Sequence, residues 1–281
     1  MTNVMNMSHT ETRSESLGPI YPTPPGQDPS VLVNLEGKVR VISLNRPSCL
    51  NAIDIHLLRA LHGEISRAVD DEQTNVIVLR GEGRAFCAGD DLIEQLNSGS
   101  LTDSQMKEFV DLLQDITKKL MLGCKLSIAL VHGWAIGGGF SWTLNCDFGI
   151  WAESAIAYLP ELRFGMFVSG GASYLLPKAI GRMNASEMAM TAPKISANAL
   201  KDLGVAWRVV PESDLLETGL QLAHQLALLP TQAVQSFKRA CISSDRESLL
   251  SALQFEAEAC IAGAKDPDTV VRIKNFMESR Q

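Results

Sequence analysis

Residues 126–147 read LSIALVHGWAIGGGFSWTLNCD, and this stretch decides the fold class of the chain. It holds no Asp, Glu, Lys or Arg before its final aspartate, so its length and apolar character would also suit a membrane span. However, it carries His132, an asparagine and three consecutive glycines. We therefore interpret it as a buried strand over 126–131, a glycine turn and a buried helix over 138–145.

Strand and helix patterns continue on both sides of this stretch. Toward the N-terminus the sequence predicts a β-hairpin over 31–45, a helix over 54–71 that is capped by Asp54, and a buried strand over 76–81. Two more helices are predicted, one near 91–97 and one at 103–122. Toward the C-terminus it predicts two short strands, over 147–152 and 155–159, and a helix over about 170–180. Beyond these, the sequence predicts mainly helices, at 184–191, 197–203, 212–229, 231–242, 246–263 and 268–279. One further strand is predicted over 205–210.

The two ends of the chain differ from its centre. The layout predicts an α/β core over 31–195 and a helical region over 196–281. Residues 1–30 hold five of the twelve prolines and few apolar residues, so we expect a flexible extension there. This extension has no basic or apolar segment of the secretory kind, which favours a cytoplasmic protein.

Composition and charge narrow the class of function. The 281 residues are 46% hydrophobic and 20% charged, which is typical of a globular protein with a sizeable core. The net charge of −7 argues against nucleic acid or an anionic membrane as the main partner. The six cysteines form no CxxC pair, so we predict buried, reduced thiols and neither a disulfide framework nor a metal site.

Several common catalytic patterns are absent from the sequence. It contains no GxSxG elbow, no GxxxxGK[ST] loop, no GxGxxG after a strand and no HExxH. The five histidines are scattered, which argues against a Ser-His-Asp hydrolase. His132 lies at a predicted strand end, and a structural role suits it better than a role in a site.

Two turns that contain glycine are candidates for a binding site. Residues 84–92, RAFCAGDDL, and residues 134–141, WAIGGGFS, each run from a strand through glycine into a helix. Free backbone N–H groups lie at helix N-termini, and two of them converging on one point would make an oxyanion hole. Tight packing of a strand on a helix also needs glycine, so neither turn alone decides between these interpretations.

Glu161 follows Pro160 inside an otherwise apolar stretch, YLPEL at 158–162. A buried carboxylate usually has a partner or a chemical role, because burial disfavours its charge. A glutamate on a solvent-exposed loop fits the composition equally well.

Four motifs occur in a fixed order along the chain. They are Asn45-Arg46-Pro47 with Leu50-Asn51-Ala52, FCAGDDL at 86–92, Gly137-Gly138-Gly139 with Cys146-Asp147, and Pro160-Glu161 with Gly165 and Gly170-Gly171. In this order and spacing they resemble the crotonase superfamily, also called the enoyl-CoA hydratase/isomerase family, from about residue 31 to the C-terminus. The resemblance implies a spiral of ββα units, C-terminal helices that build homotrimers or hexamers, and an acyl-CoA thioester substrate.

The resemblance also implies roles for individual residues. The backbone N–H groups of Asp90 and Gly138 would hold the thioester oxygen, and Glu161 would be the catalytic acid and base. The carbonyl of Ala88 would face the adenine of coenzyme A, and the Leu50 segment would line the pantetheine path. Acyl-CoA binding is expected at Leu50, Ala88, Gly89 and Gly137. No metal and no cofactor beyond the coenzyme A of the substrate is implied.

The sequence departs from the family pattern at three positions. Ser141 stands where hydratases of the family carry the first of two glutamates, and Ser48 and Val168 replace a common lysine and proline. Hydration by two carboxylates is then compromised, whereas one carboxylate can still move a proton between two carbons. We therefore expect double-bond isomerisation of an enoyl-CoA by Glu161 with a raised pKa, and a role for Ser141 in orienting substrate or water.

Two alternatives stay open. Hydration of an enoyl-CoA, thioester hydrolysis or C–C cleavage of a β-keto acyl-CoA would use Ser141 to place a water. A non-catalytic acyl-CoA-binding subunit is the other alternative, and the intact Glu161 and both glycine turns count against it.

Overall fold

The structure is a computed structural model that describes residues 15–16, 28–92 and 102–278. The strands are β1 (Glu15–Ser16), β2 (Val31–Glu36), β3 (Val39–Leu44), β4 (Val76–Gly81), β5 (Leu126–Val131), β6 (Trp134–Ile136), β7 (Phe148–Ala152), β8 (Ile156–Tyr158), β9 (Ile195–Ser196) and β10 (Arg208–Val210). The helices are α1 (Ile55–Asp70), α2 (Asp103–Leu122), α3 (Gly138–Asn145), α4 (Ala172–Ile180), α5 (Arg182–Thr191), α6 (Ala197–Asp202), α7 (Leu215–Ala227), α8 (Thr231–Ser243), α9 (Arg246–Lys265) and α10 (Pro267–Glu278). Short 3₁₀ helices cover Pro47–Cys49, Glu161–Phe164 and Glu212–Asp214.

The larger sheet has the strand order β1-β2-β3-β4-β5-β7-β10. Strands β1 to β3 are antiparallel neighbours, and the strands from β3 to β10 run parallel. In the parallel register Val41 lies beside Val78, which lies beside Ile128. The central strands are mostly apolar because nearly all of their side chains are buried on both faces of the sheet.

A smaller sheet, with the order β6-β8-β9, holds the glycine run in place. Strand β6 pairs parallel with β8, so Ile136 is opposite Tyr158, and β8 pairs antiparallel with β9. The N–H of Gly137 extends this pairing by donating to the Tyr158 carbonyl at 2.9 Å. The pairing brings the glycine turn next to the chain segment that leads into Glu161.

Helices α1 and α2 pack on each other beside the larger sheet. Helix α1 begins after Asp54, whose Oδ1 accepts the N–H of Leu57 at 2.6 Å. Its Leu61 and Ile65 are fully buried at helical spacing. Helix α2 begins with a capping box, so both helices have the starts that their sequences predict.

A buried lysine fixes the helical C-terminal region to the core. Lys238 of α8 is 6% exposed, and its Nζ donates to the carbonyls of Leu120 and Lys125 and to Asp147 Oδ2, each at 2.7 Å. Three acceptors satisfy the three donors of the ammonium group, so the charge is buried without an unpaired N–H. Helix α8 is thereby tied to the residue that ends the glycine-bearing stretch.

The structure confirms the hairpin and most of the predicted strands and helices. Residues 126–145 form two strands and a helix, and no helix among the described residues is long and apolar enough to cross a bilayer. Strands β1 and β9 were not predicted, because two residues are too short for a period. All six cysteines lie in the described ranges and are free thiols, but only Cys87 is buried, four are half-buried, and the prediction of a buried thiol is wrong for the exposed Cys241.

Two predictions fall wholly or partly outside the described residues. The helix expected near 91–97 is described only to Leu92. Of the extension expected over 1–30, only residues 15–16 and 28–30 are described, and β1 pairs with Asn34 and Leu35 on the edge of β2. The division at residue 195 stays a prediction, and β10, which follows it, completes the larger sheet.

Replacing Glu256 by Gln is expected to lower the free energy of unfolding by about 1–3 kcal/mol. The Glu256 carboxylate of α9 is buried and accepts the N–H groups of Gly171 and Ser173, at 2.8 and 2.9 Å, where α4 begins. The amide would direct an N–H group at one of these donors. Urea unfolding followed by circular dichroism measures the change. The control, Glu258→Gln, alters an exposed carboxylate of the same helix, and equal midpoints for both variants would contradict this assignment.

Candidate active site

Backbone hydrogen bonds on both sides of residues 86–90 assemble the candidate site. On one side Cys87 exchanges hydrogen bonds with strand β6, at 3.0 and 2.9 Å. On the other side the Ile53 N–H donates to the Gly89 carbonyl at 2.8 Å. The segment therefore acts as a short central strand, which places both glycine turns and the segment before α1 side by side.

The segment before α1 contains two consecutive residues in the left-handed region. Leu50 and Asn51 both have φ of 56°, a conformation that costs on the order of 1–3 kcal/mol for a residue other than glycine. The Asn51 side chain offsets this strain: its Nδ2 donates to the carbonyls of Glu82 and Ala85, at 2.9 and 2.8 Å, and its Oδ1 accepts the Arg46 N–H at 2.8 Å. The side-chain amide thus fixes Leu50 against the loop that precedes residues 86–90.

Of the two adjacent aspartates in the first glycine turn, only Asp91 forms an ion pair with Arg46. The Nη2 atom of Arg46 lies 2.9 Å from Asp54 and 3.2 Å from Asp91. Asp91 therefore shares the guanidinium group of Arg46 with Asp54. Asp90, the preceding residue, has no ion pair with any described side chain.

Two backbone donors are available at the adjacent turns. Gly138 is the first residue of α3, so its N–H has no acceptor inside the helix. Neither this N–H nor that of Asp90 has a hydrogen-bond acceptor among the described residues. A methyl group built on Gly138 would lie 3.6 Å from Asp90 Oδ1, so the two residues are neighbours. Two such donors suit a carbonyl oxygen that gains negative charge.

Glu161 lies at the start of a 3₁₀ helix, against the glycine run. Its side chain is buried, with the residue 7% exposed, and Oε2 has no hydrogen-bond partner within the described part of the chain. A methyl group built on Gly137 would lie 2.6 Å from Glu161 Oε1, so only glycine leaves room for the carboxylate there. Burial raises the pKa of Glu161 to about 8, and the charge of Asp90 contributes to this rise. The carboxyl group can therefore carry a proton near neutral pH.

The half-buried Asp90 carries a second carboxyl group at the same place. Its Oδ1 is buried and accepts no hydrogen bond from a described residue. Burial, together with the charge of Asp91, raises the pKa of Asp90 to about 6. The resemblance of the sequence to the family implied a role only for the backbone N–H of this residue. The signal was present, because Asp90 is a carboxylate in a largely apolar turn, as Glu161 is in its own segment.

Ser141 lies one turn into α3 and is fully buried. Its Oγ donates to the Gly137 carbonyl at 3.2 Å, so the hydroxyl is bonded to its own helix. Its Cβ lies against Gly170, where a methyl group on Gly170 would be only 2.8 Å away. The orienting role of Ser141 stays a prediction.

Ser169 is a polar neighbour that the sequence did not single out. Its half-buried hydroxyl oxygen would lie 3.9 Å from a methyl group on Gly138. Together with Asp90 it makes the wall beside Gly138 polar. Outside this wall, buried His132 lies with Nε2 3.0 Å from the Gly83 carbonyl, as a structural histidine would.

The remaining predicted binding residues lie in the same segments. The Ala88 N–H donates to the Leu50 carbonyl at 3.0 Å, and Gly89 has a φ of 78° with its Cα facing the Ile136 carbonyl. Gly137 has a φ of 53° and precedes α3. Hydrogen bonds and close approaches thus join every residue predicted for the site into one region, namely Leu50, Ala88, Gly89, Asp90, Gly137, Gly138, Ser141 and Glu161.

The chain is similar to known proteins in sequence and in fold. The family model for enoyl-CoA hydratase/isomerase matches residues 34–281. A probable enoyl-CoA hydratase of Rhizobium meliloti is 32% identical over 81% of this chain and 86% of its own length. A 1,2-epoxyphenylacetyl-CoA isomerase of Escherichia coli is 28% identical over 89% of this chain and 96% of its own length. The crystal structure of an enoyl-CoA hydratase/isomerase from Pseudoalteromonas atlantica, 25% identical, superimposes with a TM-score of 0.82 over 90% of this chain and 98% of that one.

The mixed α/β fold is that of the crotonase superfamily. The chain belongs to the enoyl-CoA hydratase/isomerase family.

Replacing Gly137 by Ala is expected to lower turnover about 10²-fold, because a side chain there displaces the Glu161 carboxylate. The control, Gly37→Ala, has the same left-handed strain, with a φ of 62°, but nothing lies within 4 Å of the added methyl group. Steady-state kinetics with an enoyl-CoA and thermal unfolding of both variants separate the two effects. Equal losses of activity in both variants would show that backbone strain alone explains the result.

Proposed function

We propose that this protein isomerises the double bond of an enoyl-CoA thioester, with Glu161 as the proton carrier. The observation that carries the proposal is the buried Glu161 carboxyl, with one unpartnered oxygen, against a glycine turn that presents the free N–H of Gly138. The position one turn further along α3 holds Ser141, whose hydroxyl cannot replace a carboxylate as a base. One carboxylate that both removes and returns a proton suffices for isomerisation.

In the proposed mechanism the N–H groups of Asp90 and Gly138 hold the thioester oxygen. Glu161 takes a proton from the α-carbon of a 3-enoyl-CoA, and the electrons of the broken C–H bond form a dienolate. The two N–H groups stabilise the negative charge that develops on the oxygen. Glu161 then returns the proton at the γ-carbon, which gives the 2-enoyl-CoA and regenerates the carboxylate.

Coenzyme A enters as part of the substrate, and no further cofactor is proposed. The Ala88 carbonyl accepts no hydrogen bond from a described backbone N–H, so it is available to the adenine amino group. The Leu50 segment, held by Asn51, is proposed to line the pantetheine path. Ser141 would orient the substrate through its position beside Gly137 rather than transfer a proton.

Hydration of a 2-enoyl-CoA is the second candidate. The relative from Rhizobium meliloti is named a probable enoyl-CoA hydratase. A second carboxyl, that of Asp90 with its buried Oδ1, lies beside the turn that Glu161 faces. Both reactions would use the same two N–H groups and the same enolate.

Replacing Glu161 by Gln is expected to reduce isomerisation about 10²–10⁴-fold, because the amide cannot carry the proton. Ser141→Ala, which keeps the carboxyl group, is expected to lose less than about tenfold. Conversion of 3-enoyl- to 2-enoyl-CoA, followed by mass spectrometry and chromatography, measures both variants. Calorimetric titration with a saturated acyl-CoA checks that Glu161→Gln still binds the thioester. If Glu161→Gln stays fully active, or Ser141→Ala is equally inactive, this mechanism is wrong.

The protein is also proposed to assemble as a homotrimer or hexamer. Several apolar side chains of the C-terminal helices are exposed, with Leu228, Phe237 and Phe255 at 87%, 73% and 61%. Light scattering is expected to give a multiple of 30.5 kDa at micromolar concentration. Phe237→Asp is expected to shift the mass downward, whereas Gln232→Asp, an exposed polar position of the same helix, should not. A monomer in the unmodified protein would exclude the proposed assembly.

A further inference from the structure

Two carboxyl groups, that of buried Glu161 and that of half-buried Asp90, flank consecutive residues of the glycine turn. Glu161 Oε1 would lie 2.6 Å from a methyl group on Gly137, and Asp90 Oδ1 would lie 3.6 Å from one on Gly138. Each carboxyl has one buried oxygen, Glu161 Oε2 and Asp90 Oδ1, without a hydrogen-bond partner in the described part of the chain. Because buried polar atoms are nearly always satisfied, two unpartnered carboxyl oxygens at one turn indicate a missing polar group between them.

The charges around this turn do not compensate the two carboxyl groups. Arg46 is engaged by Asp54 and Asp91. The cysteines nearby have raised pKa values, about 12 for both Cys87 and Cys260, because they are buried. The groups whose charges act on Asp90, Glu161 or their neighbours are Arg46, Cys49, Cys87, Asp91, Glu256 and Cys260. Arg46 is the only cation among these groups, so an uncharged donor such as water fits best between the carboxyls.

We propose that the Asp90 carboxyl is a second proton-transfer group, which together with Glu161 holds one water and adds it to the double bond of a 2-enoyl-CoA. This inference rests on the proposed function, because it needs the thioester oxygen on the Asp90 and Gly138 N–H groups. It assigns a catalytic role to a side chain beyond its backbone N–H. The second carboxyl is that of Asp90 in the turn over 84–92, and the position of Ser141 in α3 supplies none.

The step balances as an addition of water without a redox change. The Asp90 carboxylate takes one proton from the water, and the water oxygen forms a bond to the β-carbon. The electron pair of the double bond moves toward the α-carbon as an enolate, which the two N–H groups hold. The Glu161 carboxylic acid then gives its proton to the α-carbon. Exchange of the Asp90 proton back to Glu161 through solvent restores the starting state.

The different surroundings of the two groups suit these different roles. Burial raises the pKa of Asp90 to about 6 and that of Glu161 to about 8. Near neutral pH Asp90 is then mostly ionised and Glu161 mostly protonated. Two carboxyl groups whose pKa values are separated in this way can serve as base and acid in one site.

Variants of Asp90 test the role of its carboxyl without removing the backbone donor. Asp90→Asn and Asp90→Ala both keep the N–H that would bind the thioester oxygen. Hydration of 2-hexenoyl-CoA and its phenyl-substituted analogue is compared with isomerisation of the matching 3-enoyl thioesters, on the same preparation. The ratio of hydration to isomerisation is expected to fall about 10²-fold in both variants. The control, Glu82→Gln, changes a half-buried carboxyl of the preceding loop and is expected to keep the ratio.

The pH dependence of kcat/KM in the unmodified protein is a second measurement. Hydration needs ionised Asp90 and protonated Glu161, so it is expected to rise through about pH 6 and fall through about pH 8. Isomerisation needs ionised Glu161, so it is expected to rise through about pH 8. In Asp90→Asn the acidic limb of the residual hydration profile is expected to disappear.

The outcomes separate this inference from the proposed function. Isomerisation without hydration, wild-type hydration in Asp90→Asn, or a hydration profile without an acidic limb would overturn the role of Asp90. Hydration that depends on Asp90, without isomerisation, would support that role and overturn the proposed isomerase. Both variants are expected to unfold at no lower temperature than the unmodified protein, because they remove a carboxyl whose buried Oδ1 is unpartnered. If the variants do not fold, the pH profile of the unmodified protein decides.

Discussion

The hydrogen bonding of residues 86–90 on both of their sides is the constraint on which the site depends. Cys87 bonds to β6 on one side, and the Ile53 N–H donates to Gly89 on the other. A segment paired in this way cannot shift without breaking both sets of backbone bonds. The N–H of Asp90 and the start of α3 are therefore fixed relative to each other before any ligand binds, as preorganised stabilisation of an oxyanion requires.

Burial without compensating charge is the second property of this turn. Arg46 forms an ion pair with Asp91, but the preceding residue, Asp90, has no ion pair with a described cation. Asp90 in turn raises the pKa of Glu161 through its charge. The fold therefore separates the pKa values of the two carboxyl groups, about 6 for Asp90 and about 8 for Glu161, and the proposed hydration depends on that difference. Burying these carboxyl groups costs free energy of folding, and the packed core around the turn offsets that cost.

Long elements followed from the sequence, whereas short ones did not. Strands β4 and β5 are six-residue apolar runs and α1 has a capped, periodic face, so a buried strand and an amphipathic helix were predictable. Strand β9 has two residues, which define no period, and it exists because β8 offers it a partner. The first residue of α4 was predictable only approximately, because its N-terminal donors are satisfied by Glu256, more than eighty residues away in the sequence.

The sequence by itself identified the family and located the two glycine turns and the candidate Glu161, because these depend on residue types at fixed spacing. It also contained the replacement at Ser141, which directed attention to a single carboxylate. Only the tertiary structure decided that the Oδ1 atom of Asp90 is buried beside the glycine run that Glu161 faces. The burial of a side chain and the charges around it are set by segments that are distant in the chain. The adjacent Asp90 and Asp91 therefore differ in their ion pairing, because only Asp91 forms an ion pair with Arg46.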